Sequence, residues 1–166
     1  MAEVRTAAPW PRGPLVVDLD GLVGLSLDDL EALERRPEAS IGAVSGACEG
    51  PALAAAMAVD LVVAAPGATF GRPGDWSDVV IRRGTGISGR KVTAYLAMTG
   101  RTIDAELALT WGLVSRVADE PLAAAATLAE EIGARSPRAV ATILRQAHRG
   151  AAADYTETRL TGRITR

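Results

Sequence analysis

Between positions 41 and 65 the chain sets two apolar strands around a joint of glycine, proline and alanine. Residues 41–45 read as a buried strand, short, apolar and bounded by small residues. A Gly-rich turn follows, and Pro51 opens an alanine-rich helix, where the missing proline N–H costs nothing at the first position. Residues 61–65 form the second strand. A strand that turns through glycine into a helix start can present amides to a developing negative charge. With 48% apolar residues but only 4% aromatic ones, the core must be built from Ala, Val, Leu and Ile, which lets helices approach a sheet closely.

The remaining pattern alternates strand and helix, which predicts an α/β fold with parallel strands and right-handed crossovers. Residues 1–13, with Pro9, Pro11 and Gly13, read as a loose leader, 14–150 as one core and 151–166 as a polar tail. Residues 15–19 are a first strand ending at the turn Asp20-Gly21. Ser26 caps a helix to about 36, with Leu27, Leu30 and Leu33 on one face and acids in its first turns. Pro66-Gly67 is a turn before a short strand at 68–70. The Gly- and Arg-rich stretch 71–89 has loop character. Helices are expected over 89–99, 104–111, 120–134 and 137–149, with a strand over 113–117.

A net charge of −2 gives no electrostatic reason to expect nucleic acid or an anionic membrane surface. One cysteine excludes an intramolecular disulfide, and one histidine leaves no visible zinc ligand set. The first residues lack a signal-peptide core and no apolar run reaches membrane-span length, so a cytoplasmic protein is the default expectation.

Residues 41–65, the run Phe70-Gly71-Arg72-Pro73 and the segment 99–114, with Thr99-Gly100 at its start and Gly112-Leu113-Val114 at its end, occur in an order and spacing that resembles the crotonase superfamily of enoyl-CoA hydratases and isomerases. The resemblance extends to about residue 150. It implies a spiral of ββα units, truncated here at both ends, and assembly as a homo-oligomer, a trimer or a multiple of one. It also implies a small-molecule acyl thioester or carrier-bound substrate held through its thioester oxygen, with coenzyme A as part of the substrate and no separate cofactor.

The family's reactive positions are altered. The glycine whose amide holds the thioester oxygen corresponds to Pro51, which has no N–H. The two glutamates of the hydratases correspond to Ala54 and Gly74, and the second oxyanion amide has its nearest counterpart at Leu27 or Asp28. Replacement candidates cluster around the same places. Glu49, Asp75 and Asp78 are the candidate acid–base groups, and Ala52 keeps an amide in the first helical turn. Cys48 is a candidate contact or a nucleophile activated by the helix terminus, Trp76 a surface for substrate, and Arg72 an anion contact within a cationic group that includes Arg82, Arg83, Arg90 and Lys91. The alternatives are structural for each: a solvent-facing Glu49, a small buried Cys48, a polar turn at 73–75 and a solvated basic surface. His148, at a helix end, and Asp60, between helix and strand, read mainly as structural.

Two functions follow. One is an enzyme acting on an acyl thioester or related carbonyl compound by isomerisation, cyclisation, decarboxylation or C–C chemistry without the glutamate pair. The other is a non-catalytic subunit that assembles with or regulates a partner enzyme.

Overall fold

The computed structural model describes residues 10–20, 22 and 24–148. The expected tail at 151–166 and most of the leader lie outside these residues. Strand β1 (Leu15–Asp18) leads to helix α1 (Leu27–Glu34), which opens with a capping box. The Ser26 hydroxyl accepts the Asp29 amide at 3.1 Å, and the Asp29 carboxylate accepts the Ser26 amide at 3.0 Å. Leu30 and Leu33 are buried, but Leu27 is 52% exposed, so the expected three-leucine face is two leucines wide. A spacing of three drifts about 60° per step around a helix, which turns Leu27 away from a core centred between the other two.

Two strand–strand–helix units follow in succession. The first is β2 (Ser40–Val44), β3 (Ala47–Glu49) and α2 (Gly50–Ala56). The second is β4 (Leu61–Ala64), β5 (Thr69–Gly71), a single 3₁₀ turn (Gly74–Trp76) and α3 (Ser77–Ile87). Beyond them lie α4 (Arg90–Thr99), β6 (Thr102–Asp104), α5 (Ala105–Thr110), β7 (Arg116–Val117) and α6 (Pro121–Gly133), and residues 137–148 are helical. The longer strands form a parallel sheet in the order β1-β2-β4-β7, and the shorter ones a second sheet, β3-β5-β6. Within that second sheet β5 and β6 are antiparallel, a departure from the expected parallel pairing, because β6 returns from α4 in the opposite direction.

The parallel sheet is covered on both faces, as such sheets require. Ile41, Ala43 and Val63 pack against Ala125 of α6, with Leu128 and Ile132 closing the edge. Val44, Val62 and Ala64 belong to the larger core, which runs through Leu30, Leu33, Leu53, Phe70, Val80 and Leu96. Trp10 packs on this core, and the buried Arg36 side chain donates to the carbonyls of Pro11 at 3.0 Å and Gly13 at 2.6 Å.

The stretch 71–89, expected as a loop, is mostly helix. Val79, Val80, Arg83 and Gly84 point inward along α3 at helical spacing. Its glycines mislead because Gly84 serves close packing. A Cβ there would stand 2.9 Å from the Thr93 hydroxyl and 3.3 Å from the Met57 sulfur. β3 and β6 have no counterpart among the expected elements, and the strand at 113–117 shrinks to two residues.

Candidate active site

β3 and β5 run parallel, with Glu49 opposite Gly71. Their carboxyl ends open at the start of α2, the place where open α/β sheets commonly hold ligands. Gly71 fits because a Cβ would collide with the Arg101 carbonyl oxygen and approach Thr102 Cα to 2.8 Å. The chain then bends at Arg72, whose φ of 45° makes it the one non-glycine left-handed residue among those described. That conformation is disfavoured for a side chain with a Cβ. Here it serves two contacts: the Arg72 carbonyl accepts the Gly50 amide at 3.1 Å, and its guanidinium lies 3.2 Å from the Glu49 carboxylate.

Glu49 is the N-cap of α2 in extended conformation, yet its side chain makes no capping bond. In the first turn Gly50 already donates to Arg72, Pro51 has no N–H, and no side chain caps the rest. The Ala52 amide is therefore the first-turn donor without a side-chain acceptor. The Glu49 side chain is 34% exposed and Arg72 66%, so their ion pair is a weak surface one, worth about 0–1 kcal/mol. Glu49, Arg72 and Ala52 are the candidates that the fold brings together.

The others lie apart or are closed off. Asp75 and Asp78 are exposed, at the 3₁₀ turn and the first turn of α3, while Trp76 between them is half-buried and packs on the main core. Trp76 thus has a structural use. Cys48 is fully buried. Burial, with the Asp20 and Glu49 carboxylates adding to it, pushes its thiol well above the usual thiol range. This speaks against Cys48 as an activated nucleophile or a substrate contact and agrees with the alternative, a small buried cysteine: a helix terminus cannot lower a thiol whose surroundings are apolar and anionic. Ala54, in the same helix, is also fully buried.

In the sequence Asp20 signals only a turn. In the fold its carboxylate accepts the Ser45 amide at 2.8 Å and the Gly46 amide at 2.9 Å, tying the end of β1 to the loop that leads into β3. The dipeptide Asp20-Gly21 carries no hint of that distant partner. Asp60 has the structural role expected of it, accepting the Ser40 hydroxyl and amide at 2.8 Å each. His148 lies 3.0 Å from the other Asp60 oxygen, which anchors the last helical stretch. Arg83, expected in a solvated basic group, is buried and forks onto Glu34 at 3.1 and 2.9 Å.

Open grooves lie on the surface of the described residues. One, about 470 Å³, lies along Ser136, Arg138, Ala139, Thr142 and Ile143; another, about 380 Å³, along Lys91, Val92, Tyr95, Leu107 and Trp111. Neither is lined by Glu49, Asp75 or Asp78. Among the described residues no cluster of His, Cys, Asp or Glu could hold a metal ion, and no helix is long and apolar enough to cross a membrane.

Comparison with known proteins gives a consistent picture. A family model described as enoyl-CoA hydratase/isomerase matches residues 23–165. The chain is 39% identical over 85 residues to the mevalonyl-coenzyme A hydratase SIDH of Beauveria bassiana, covering 48% of this chain and 30% of that one. It is 33% identical over 110 residues to the carnitinyl-CoA dehydratase of Citrobacter koseri, covering 62% of this chain and 42% of that one. The chain thus spans well under half the length of these curated relatives. Among solved structures, a monofunctional enoyl CoA isomerase from M. smegmatis superimposes with a TM-score of 0.70 at 29% identity, covering 76% of this chain and 63% of that one.

Proposed function

The chain belongs to the enoyl-CoA hydratase/isomerase family, and on that premise we propose that it acts on acyl-CoA thioesters by moving a proton beside the thioester carbonyl, without the hydratase glutamate pair. The observation that carries this reading is the position of Glu49, a carboxylate at the N-cap of α2, three residues before the uncapped Ala52 amide. In the proposed step the Glu49 carboxylate takes a proton from the carbon next to the thioester. The electron pair moves onto the thioester oxygen, and the Ala52 amide and the positive end of α2 stabilise the resulting enolate. Returning the proton to the γ-carbon of a β,γ-unsaturated substrate completes an isomerisation, and attack of the enolate on a second carbonyl carbon gives C–C chemistry; in a decarboxylation the same enolate forms instead by loss of CO2, and a protonated Glu49 then delivers the proton to that carbon. Arg72 holds Glu49 until substrate arrives, and a pair this weak yields at little cost. Asp75 and Asp78 are second-rank candidates for the returning acid. Coenzyme A enters as part of the substrate.

A second reading, a non-catalytic subunit that supports a partner enzyme, has one observation in its favour. Cys48, Leu53 and Ala54 are fully buried and Ala52 is 5% exposed, so the floor of the site is closed in this conformation. Calorimetric titration with CoA and with butyryl-CoA separates the two. Saturable micromolar binding of the acyl form, weakened by Arg72→Ala, supports the enzyme. Absence of binding by either compound supports the subunit. Crotonyl-CoA hydration is expected to stay at the uncatalysed rate, and turnover lost in Glu49→Ala would contradict that.

A further inference from the structure

Lys91 is the only lysine in a chain with seventeen arginines, so it carries the one side-chain amine that can form an amide. It is exposed, second in α4, and among the described residues no ion pair engages it. Tyr95 follows one turn later on the same face of α4. Trp111, at the end of α5, meets the Tyr95 ring edge to face with centroids 5.7 Å apart. With Val92 and Leu107 these residues line the open groove of about 380 Å³ between the two helices, within the roughly 300–1,000 Å³ of small-ligand sites.

The groove is built on fixed parts. Val92, Tyr95 and Trp111 are partly buried and pack on the main core, while Leu107 is 36% exposed. The Asp104 carboxylate accepts the Leu107 amide at 2.8 Å, which holds the start of α5 in place. Charge near the groove has both signs, Arg90 beside Lys91 on α4 and Asp104 with Glu106 at the start of α5, so net charge does not choose the ligand. What remains is an apolar, aromatic trough with a free amine in its wall.

We propose that this groove holds the acyl chain of an acyl thioester and that Lys91 takes the acyl group. In the transfer the unprotonated ε-amine attacks the thioester carbonyl carbon. The C–N bond forms and the C–S bond breaks. The departing thiolate takes the proton that the nitrogen sheds, which leaves an amide and a free thiol with nothing oxidised or reduced. The modified side chain is neutral. The thioester class rests on the function proposed above, but the step makes no use of Glu49. A lysine on an open surface reacts with thioesters regardless of chain length. Beside a trough it favours chains that fill it, because each buried CH2 raises occupancy about fourfold and residence brings the carbonyl to the amine.

Incubation of the full chain with octanoyl-CoA and, separately, with acetyl-CoA tests this, with adducts read by intact-mass spectrometry and located by peptide mapping. Lys91 should acquire the octanoyl group about tenfold or more faster than the acetyl group, and Lys91→Arg should lose the adduct. Trp111→Ala and Leu107→Ser should each bring the octanoyl rate down toward an unchanged acetyl rate. Far-UV dichroism checks that both variants fold, and Leu107, at the surface, supplies the test if Trp111→Ala does not. In urea the native chain should show no preference. Absence of an adduct on Lys91, equal rates for the two thioesters, or a preference that survives in urea or in Leu107→Ser would overturn the proposal. The mass readout needs no turnover at Glu49, so failure of either reading leaves the other standing.

Discussion

Cys48 and Glu49 are adjacent in β3 but meet opposite environments, because successive residues of a strand face opposite sides. Cys48 points into the core; Glu49 points to the open end of the sheet, toward Arg72. The buried thiol makes a pH prediction with a definite sign. Its folded value is raised above the unfolded one, so the protein keeps this contribution to stability at pH values below the ordinary thiol range. It loses the contribution as pH rises above that range, by up to about 1.4 kcal/mol per pH unit. Urea midpoints of the native chain and of Cys48→Ala should therefore converge from neutral pH toward pH ~10, and iodoacetamide should leave the folded protein unalkylated. Midpoints that run parallel, or rapid alkylation, would show that the thiol is accessible.

At the scale of elements, α1 and α3 are held by an unequal pair. The Arg83 side chain is 6% exposed and Glu34 42%. Replacing Arg83 by Met removes a buried charge and leaves a carboxylate that water can reach. Replacing Glu34 by Gln leaves a buried guanidinium without its counter-charge, the costlier outcome. The expected loss is about 1–3 kcal/mol for Glu34→Gln, less than for a fully buried pair because Glu34 keeps partial solvent access, and a smaller one for Arg83→Met. Denaturant melts of both variants check the order; the reverse order would mean that packing of the arginine stem dominates.

That pair also marks where sequence reading stops. Arg83 reads as one more surface cation because its partner is 49 positions away. The same limit hides α3, whose Gly84 signals close approach to Thr93 and Met57 rather than a turn. The short strands β3 and β6 carry too few residues for a period of two to register. By contrast, the helix cap at Ser26, the Gly50-Pro51 start and the strands β2 and β4 are legible, since each rests on local chemistry or on an unbroken apolar run.

For the whole molecule, the fold is readable because three motifs in fixed order constrain a chain more than any one of them. The site is only partly so. The resemblance puts Pro51, Ala54 and Gly74 where the family's reactive residues are expected, but nothing local reveals that Arg72 adopts a left-handed conformation and so reaches both the Glu49 carboxylate and the Gly50 amide. The central claim is that the start of α2 still handles a thioester, with Glu49 moving the proton. Deuterium uptake from heavy water into the carbon beside the thioester of butyryl-CoA, read by mass spectrometry, tests it whatever the net reaction is. The native chain should catalyse the exchange, and Glu49→Gln should reduce it by about a hundredfold or more. No exchange despite saturable binding, or equal exchange in Glu49→Gln, would contradict the account.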